Sequence, residues 1–208
     1  MAIPQELLAL YSGLSKREVF YLKARWLVSP IDAVEAAMPA RGRVYDIGCG
    51  AGLLSNLAAL RSGERQVIGM DLSEEKVAIA KRSVGNRHNI VFEKADVLKA
   101  ALVRPDVVSI CDTLHHIPSE AQESLLKYVY ESLGAGGVLL VQDIDKRPFY
   151  KYLFARSVDM LLNRMEPVYY RDSTDWVRIL KDIGFEVNIE KLDKGYPIAA
   201  VLFKCVKK

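Results

Sequence analysis

Up to about residue 40 the apolar positions recur every three or four residues; beyond it they gather into short, nearly unbroken runs. "SKREVFYLKARWLV" (15–28) has the period of an amphipathic helix. Ser29 and Pro30 predict an N-cap and first helical position opening "IDAVEAAM". From residue 43 the apolar runs "RVYDIG", "QVIGMD", "NIVFEKAD", "DVVSIC" and "GGVLLVQD" predict five strands. The segments "LLSNLAALRSG", "SEEKVAIAKRSVG" and "SEAQESLLKYVYESLG" predict helices between them, ended by Gly63, Gly85 and Gly134. Near-continuous apolar strands alternating with helices imply a parallel sheet covered on both faces.

The alternation breaks after Asp145. "KRPFYKYLFARSVDMLLNRMEPVYYR" (146–171) predicts a helix and an extended piece, inserted before the pattern resumes in the helix "DSTDWVRILKDIG". "FEVNIEKLDKG" and "YPIAAVLFKCVKK" then predict an antiparallel hairpin, with Gly195 and Pro197 in the turn. No linker rich in glycine, proline or serine divides the chain. One domain is expected over 1–208: N-terminal helices (1–41), a ligand-binding core (42–145), a lid insertion (146–171), and a closing helix and hairpin (172–208).

Composition narrows the classes. Half of the 208 residues are hydrophobic, as in a globular domain. The net charge of +3, with acids and bases interspersed, is too mild to argue for nucleic acid or an anionic surface. Cys49, Cys111 and Cys205 lie far apart, which suits a reducing cytoplasm and argues against a disulfide framework or a metal site. No signal-peptide pattern and no apolar run of membrane-spanning length is present, so a cytoplasmic location is the expectation.

The chemistry centres on "VYDIGCGAGLLS" (44–55). In an open parallel sheet, ligands bind beyond the carboxyl ends of the strands. Gly48, Gly50 and Gly52 can adopt positive φ and admit a ligand close to main chain. The helix beginning near Gly52 offers N–H groups to an anion, while Asp46 asks for a cation. An amino-acid moiety meets both demands. Asp71, nineteen residues after Gly52, could accept from two ribose hydroxyls, and Asp96 from an exocyclic amine. A dinucleotide fits less well: Leu53 stands where GxGxxG needs its third glycine, and Asp46 would face a pyrophosphate. A glycine turn that binds nothing would leave the acidic strand ends unexplained.

"DIGCGAG", "GMDLS", "KADV" and "CDTLHHIP", in this order, resemble the class I, Rossmann-like S-adenosylmethionine-dependent methyltransferases. The resemblance is strong over 42–145 and weaker toward the C-terminus. It implies a seven-stranded, mostly parallel sheet with the last strand antiparallel, and S-adenosylmethionine as cofactor. It also implies that Asp46, Gly48 and Gly50 meet the methionine moiety, Asp71 the ribose, Asp96 and Val97 the adenine, and Asp112 the methionine and sulfonium end; Gly52 and Leu72 are counted with these cofactor-binding residues.

Methyl transfer from a sulfonium needs an aligned nucleophile and, for many acceptors, a base. His115 and His116 in "TLHHIP" follow the fourth strand and are the candidate bases. The plainer alternative is that one packs under the loop and the other bonds to main chain. His88 is expected at the surface. Tyr11, Arg25, Gln142, Tyr169, Tyr170 and Arg171 are candidates for an acceptor pocket. The insertion carries Phe149, Tyr150, Tyr152, Leu153, Phe154, Met160, Leu161 and Leu162 among Lys146, Arg147, Lys151, Arg156 and Arg164. It reads as a core-covering helix, or as a lid over an apolar or anionic acceptor met at a membrane surface. The expected function is methyl transfer to O, N or C of a small molecule. An RNA or protein acceptor is the first alternative, disfavoured by the absence of a basic tract and of an "NPPY" tetrapeptide where "CDTL" stands. A non-catalytic cofactor-binding subunit that activates a partner is the second.

Overall fold

The computed structural model describes residues 2–162 and 167–208. Of the predicted lid, the side chains of Leu161 and Leu162 and all of Arg164 lie outside the described residues.

Three helices lead the chain: α1 (Gln5–Ala9), α2 (Lys16–Val28) and α3 (Ile31–Ala36). Helix α2 starts at a capping box, in which the Ser15 hydroxyl accepts the Glu18 N–H and the Glu18 carboxylate accepts the Ser15 N–H. The alternating core follows as β1 (Gly42–Ile47), α4 (Leu53–Arg61), β2 (Arg65–Asp71), α5 (Glu74–Arg82), β3 (Ile90–Lys94) and β4 (Val107–Cys111). It continues through a 3-10 turn at Leu114–His116, α6 (Ser119–Ser132) and β5 (Val138–Ile144). Helices α7 (Phe149–Leu162) and α8 (Ser173–Ile183) and strands β6 (Phe185–Lys191) and β7 (Ala200–Lys207) complete the chain.

The seven strands form one sheet in the order β3-β2-β1-β4-β5-β7-β6. Only β7 runs antiparallel to its neighbours, pairing Gln142 with Leu202 and Asn188 with Lys204. Period-two alternation divides the strand side chains between two cores. Val44, Val107 and Leu140 pack on one face with Leu22, Trp26 and Leu57; Val108, Ile110 and Leu139 pack on the other with Leu125, Trp176 and Leu180. Helices therefore cover both faces, as the unbroken apolar strands require. The order reverses between β1 and β4, which opens a crevice at the carboxyl ends of these two strands.

Three local expectations are corrected. Ser29 does not cap α3; Pro30 occupies that position, and the Ser29 hydroxyl donates to the buried carboxylate of Asp112. Strand β3 stops at Lys94 because Asp96 turns the chain, its carboxylate accepting the Leu98 N–H at 3.1 Å and its carbonyl the Lys99 N–H at 2.9 Å. The last strand begins only at Ala200, since the Tyr196 hydroxyl donates to Asp32 at 2.9 Å and ties the preceding loop to α3.

Candidate active site

A cleft of about 740 Å³ lies at the crevice, a volume suited to a cofactor. Asp46, Gly48, Gly50, Asp71, Leu72, Val97, Asp112 and His116 all line it; Gly52, Asp96 and His115 do not. Its outer wall comes from α2 through Tyr21, Leu22 and Arg25.

The loop after β1 is held from β2: the Gly48 and Cys49 N–H groups both donate to the Met70 carbonyl, at 2.8 and 3.0 Å. The three glycines have different reasons to be glycine. A Cβ on Gly48 would sit 2.2 Å from the Thr113 hydroxyl, and one on Gly52 2.6 Å from the Phe92 ring, so both serve close packing. Gly50, at φ +55°, would project a Cβ into open space with nothing within 4 Å. Of the three, it is the one that leaves the cleft itself bare.

The carboxylates are differently committed. Asp71 accepts the Gly50 N–H through one oxygen and the Ser73 N–H through the other, both at 2.8 Å, and so welds the β1 loop to the start of α5. Asp46 is buried, with Ser109 donating at 2.9 Å and Ser55 at 2.5 Å. Burial pushes its carboxyl up to about 6, against the pull of the two hydroxyls and with some help from the nearby Asp71 charge. Asp112 sits at φ +47°, in the left-handed region that aspartate tolerates better than most residues. Its carboxylate accepts from Gln142 at 3.0 Å, from Arg25 at 2.9 Å and from Ser29. The tip of β4 is thereby clasped to α2. Asp96 keeps its carboxylate on Leu98 and Lys99, outside the lining, while its neighbour Val97 faces the cleft.

The two histidines separate. His116 lines the cleft, and burial above all, then His115, Arg25 and Lys76, lowers its imidazole to about 3, so the ring is neutral at physiological pH. His115 lies under the loop, with Nδ1 2.6 Å from Asp143 Oδ1 and both side chains 1% exposed. Tyr170 stacks on His115 at 4.7 Å, and Tyr152 of α7 meets Tyr170 edge-on at 5.4 Å. Cys49 and Cys111 also line the cleft; burial pushes both thiols well up, so they stay protonated. Among the described residues no His, Cys, Asp or Glu cluster could hold a metal ion.

The acceptor candidates scatter. Tyr11 is buried, donating to the Ala51 carbonyl at 2.9 Å and accepting from Asn56 at 2.7 Å, so it props the glycine loop from behind. Gln142 supports Asp112. Arg171 clamps the strap after residue 166 onto α6, through Gln122 at 2.8 Å and the Ser119 carbonyl and Glu123, each at 3.0 Å. The Tyr169 N–H donates to the His115 carbonyl at 2.7 Å. Asp143 lies in the strand end 142–145 that the sequence offers to the acceptor pocket but is not singled out there, although a carboxylate one residue past Gln142 in an otherwise apolar strand was its signal. Ser29, Ser55 and Ser109 gave no signal at all.

A methyltransferase-domain family model matches residues 19–190. The chain belongs to the class I S-adenosylmethionine-dependent methyltransferases. Among curated relatives, it is 30% identical over 156 residues to a ubiquinone biosynthesis O-methyltransferase of Dechloromonas aromatica, covering 73% of this chain and 64% of the relative. It is 30% identical over 133 residues to a trans-aconitate 2-methyltransferase of Variovorax paradoxus, covering 63% of this chain and 49% of that protein. The chain thus spans about half to two thirds of the length of these relatives. The fold matches a magnesium protoporphyrin IX methyltransferase from Synechocystis with bound SAH at TM-score 0.72 and 20% identity, over 96% of this chain and 92% of that one. It also matches human N-acetylserotonin methyltransferase in complex with SAM at TM-score 0.72 and 24% identity, over 99% and 60%.

The cleft of this methyltransferase fits the family's methyl donor. The bare backbone at Gly50, the buried carboxylate of Asp46 and the Arg25–Asp112 pair in the same lining suit an amino-acid end carrying both charges. Asp71 and Leu72 at the tip of β2, and Val97 beyond β3, suit a nucleoside.

Proposed function

We propose that this methyltransferase transfers the methyl group of S-adenosylmethionine to an oxygen of a small, largely apolar acceptor, with His115 as the base. When bound, the donor supplies a methyl group made electrophilic by its sulfonium. Asp46 would neutralise the donor's ammonium, Gly50 would admit its backbone-hugging methionine part, and Asp71 would receive the ribose hydroxyls. His115, one residue behind the cleft lining and covered by Tyr170, would take the proton of the acceptor hydroxyl once the acceptor displaces the Tyr170 ring. Asp143, on Nδ1, fixes the tautomer and stabilises the imidazolium that results. Tyr170 and Tyr152 exclude water and present aromatic surface to the acceptor.

The observation that carries this reading is the 2.6 Å His115–Asp143 contact, fully buried beside the cleft. His116, with its imidazole lowered to about 3, is a poor base and reads as wall. The names of the relatives, a ubiquinone-biosynthesis O-methyltransferase among them, favour a small molecule over RNA or protein.

The test is tritium transfer from labelled S-adenosylmethionine to a panel of phenols and catechols with and without an isoprenoid tail, short carboxylic acids, and bulk tRNA. Label in the hydroxylated aromatics, stronger with the tail, is expected. Label only in carboxylic acids, in tRNA or in the protein would overturn the assignment.

A further inference from the structure

Helix α7 carries an apolar face with no partner among the described residues. Phe149 is 64% exposed, Tyr150 70%, Leu153 46%, Phe154 44% and Met160 54%. At about 100° per residue these five side chains fall within one sector of about 140°. Ala155, buried, and Tyr152, which meets Tyr170, fall on the other side. The helix therefore has an inner face used by the fold and an outer face of aromatic and aliphatic side chains turned to solvent. Soluble monomers seldom leave such a stripe open without a use.

Charge says what covers it. Arg156 is exposed at the border of the stripe and Arg147 two residues before the helix, and neither makes an ion pair among the described residues. Lys146 joins them, 40% exposed and only 3.8 Å from its nearest carboxylate, Asp172. Lys151, on the flank, is already paired with Asp193. A protein partner's apolar patch would need no unpaired Arg147 and Arg156 beside it; an anionic lipid surface supplies both halves, phosphates for the cations and acyl chains for the rings.

We propose that the outer face of α7 docks this protein on an anionic phospholipid surface, with Phe149, Tyr150, Leu153 and Phe154 inserted and Lys146, Arg147 and Arg156 among the headgroups. The helix then joins the bilayer to the acceptor side of the cleft. Its outer face meets lipid while Tyr152, on its inner face, touches Tyr170, which covers His115. An apolar acceptor dissolved in the membrane would reach the site past this helix without crossing water. Docking is read by binding alone, so it stands or falls separately from the choice of acceptor.

The experiment is co-sedimentation of the full chain with phosphatidylcholine vesicles, alone or with about one third phosphatidylglycerol. Light scattering of the lipid-free protein is measured alongside. Binding only to the anionic vesicles, weakened by salt, is expected. Each cation contributes about fivefold in partitioning. The Arg147→Glu/Arg156→Glu and Leu153→Asp/Phe154→Asp pairs should therefore each lose at least tenfold, with unchanged far-ultraviolet dichroism and donor affinity. If the second pair fails to fold, Phe149→Ser/Tyr150→Ser, at the two most exposed positions, replaces it. The proposal is overturned if the wild type ignores anionic vesicles, or if both variants bind as well as the wild type. It is equally overturned if the protein is a dimer that the apolar substitutions split while vesicles bind nothing, which makes the face a contact between copies.

Discussion

His115 and Asp143 stand 28 residues apart in sequence and 2.6 Å apart in space, on the 3-10 turn after β4 and on the neighbouring strand β5. Parallel pairing of β4 with β5, Cys111 opposite Gln142, creates the contact. Asp143 Oδ1 also accepts the Ile144 N–H at 2.8 Å, so the carboxylate is oriented by main chain before it orients the imidazole.

That arrangement makes a kinetic prediction. His115→Asn should lower kcat by about 10²–10⁴-fold, the usual worth of a general base, with donor affinity within about twofold of wild type. Asp143→Asn should cost less, about tenfold or more in kcat with KM little changed, and Asp143→Glu should recover part of it. Single-turnover rates and calorimetric donor titrations check this. Equal losses in donor affinity and turnover would make the pair structural only.

Asp46 predicts how donor binding depends on pH. Its carboxyl is held at about 6, and the donor's ammonium prefers the ionised form. Affinity should be flat above about pH 7 and fall toward tenfold per pH unit below 6. In the free protein the sign is opposite: a raised carboxyl contributes stability that is full below about 4 and lost as pH rises through 6. Asp46→Asn should remove both dependences and weaken the donor at neutral pH by tenfold or more. Titration calorimetry from pH 5 to 8 reads both limbs.

His116 works against the fold in acid. Burial holds its imidazole near 3, so its contribution is present above about 6.5 and lost as pH falls toward 3. The loss amounts to about 1.4 kcal/mol per pH unit in that window. Melting curves between pH 7 and 4 should show His116→Gln losing less stability than wild type on acidification. A parallel decline would place the acid-sensitive group elsewhere.

The glycines of the β1 loop should fail in different ways. Gly52→Ala drives a Cβ to 2.6 Å from Phe92 at φ +85°, so it should destabilise the fold by about 1–3 kcal/mol, with partial rescue by Phe92→Leu. Gly50→Ala meets no atom of the protein and bears only the left-handed strain, about 1 kcal/mol, yet should cut donor affinity sharply because the methyl enters the cleft. Thermal melts and donor titrations on the two variants separate packing from recognition.

The strand–helix alternation, the glycine loop after β1 and the acidic tips of β1 and β2 were readable directly. Each is local: an apolar run, a residue needing positive φ, a carboxylate at a strand end. Eight of the predicted site positions line one cleft. Gly52, Asp96 and His115 do not, and each departs for a reason invisible along the chain. Gly52 answers to Phe92, which β3 brings alongside; Asp96 spends its carboxylate on its own turn; His115 is drawn under the loop by Asp143.

By itself, then, the amino-acid order determined which segments are strands, where the chain can bend without a Cβ, and which family the four motifs resemble. These properties depend on neighbours a few residues away. Tertiary structure alone decided that His115 meets Asp143, that Ser29 serves Asp112 rather than a helix end, and that one face of α7 meets none of the described residues. Those outcomes depend on strand register and on what packs across the sheet, contacts between residues tens of positions apart that no local pattern encodes.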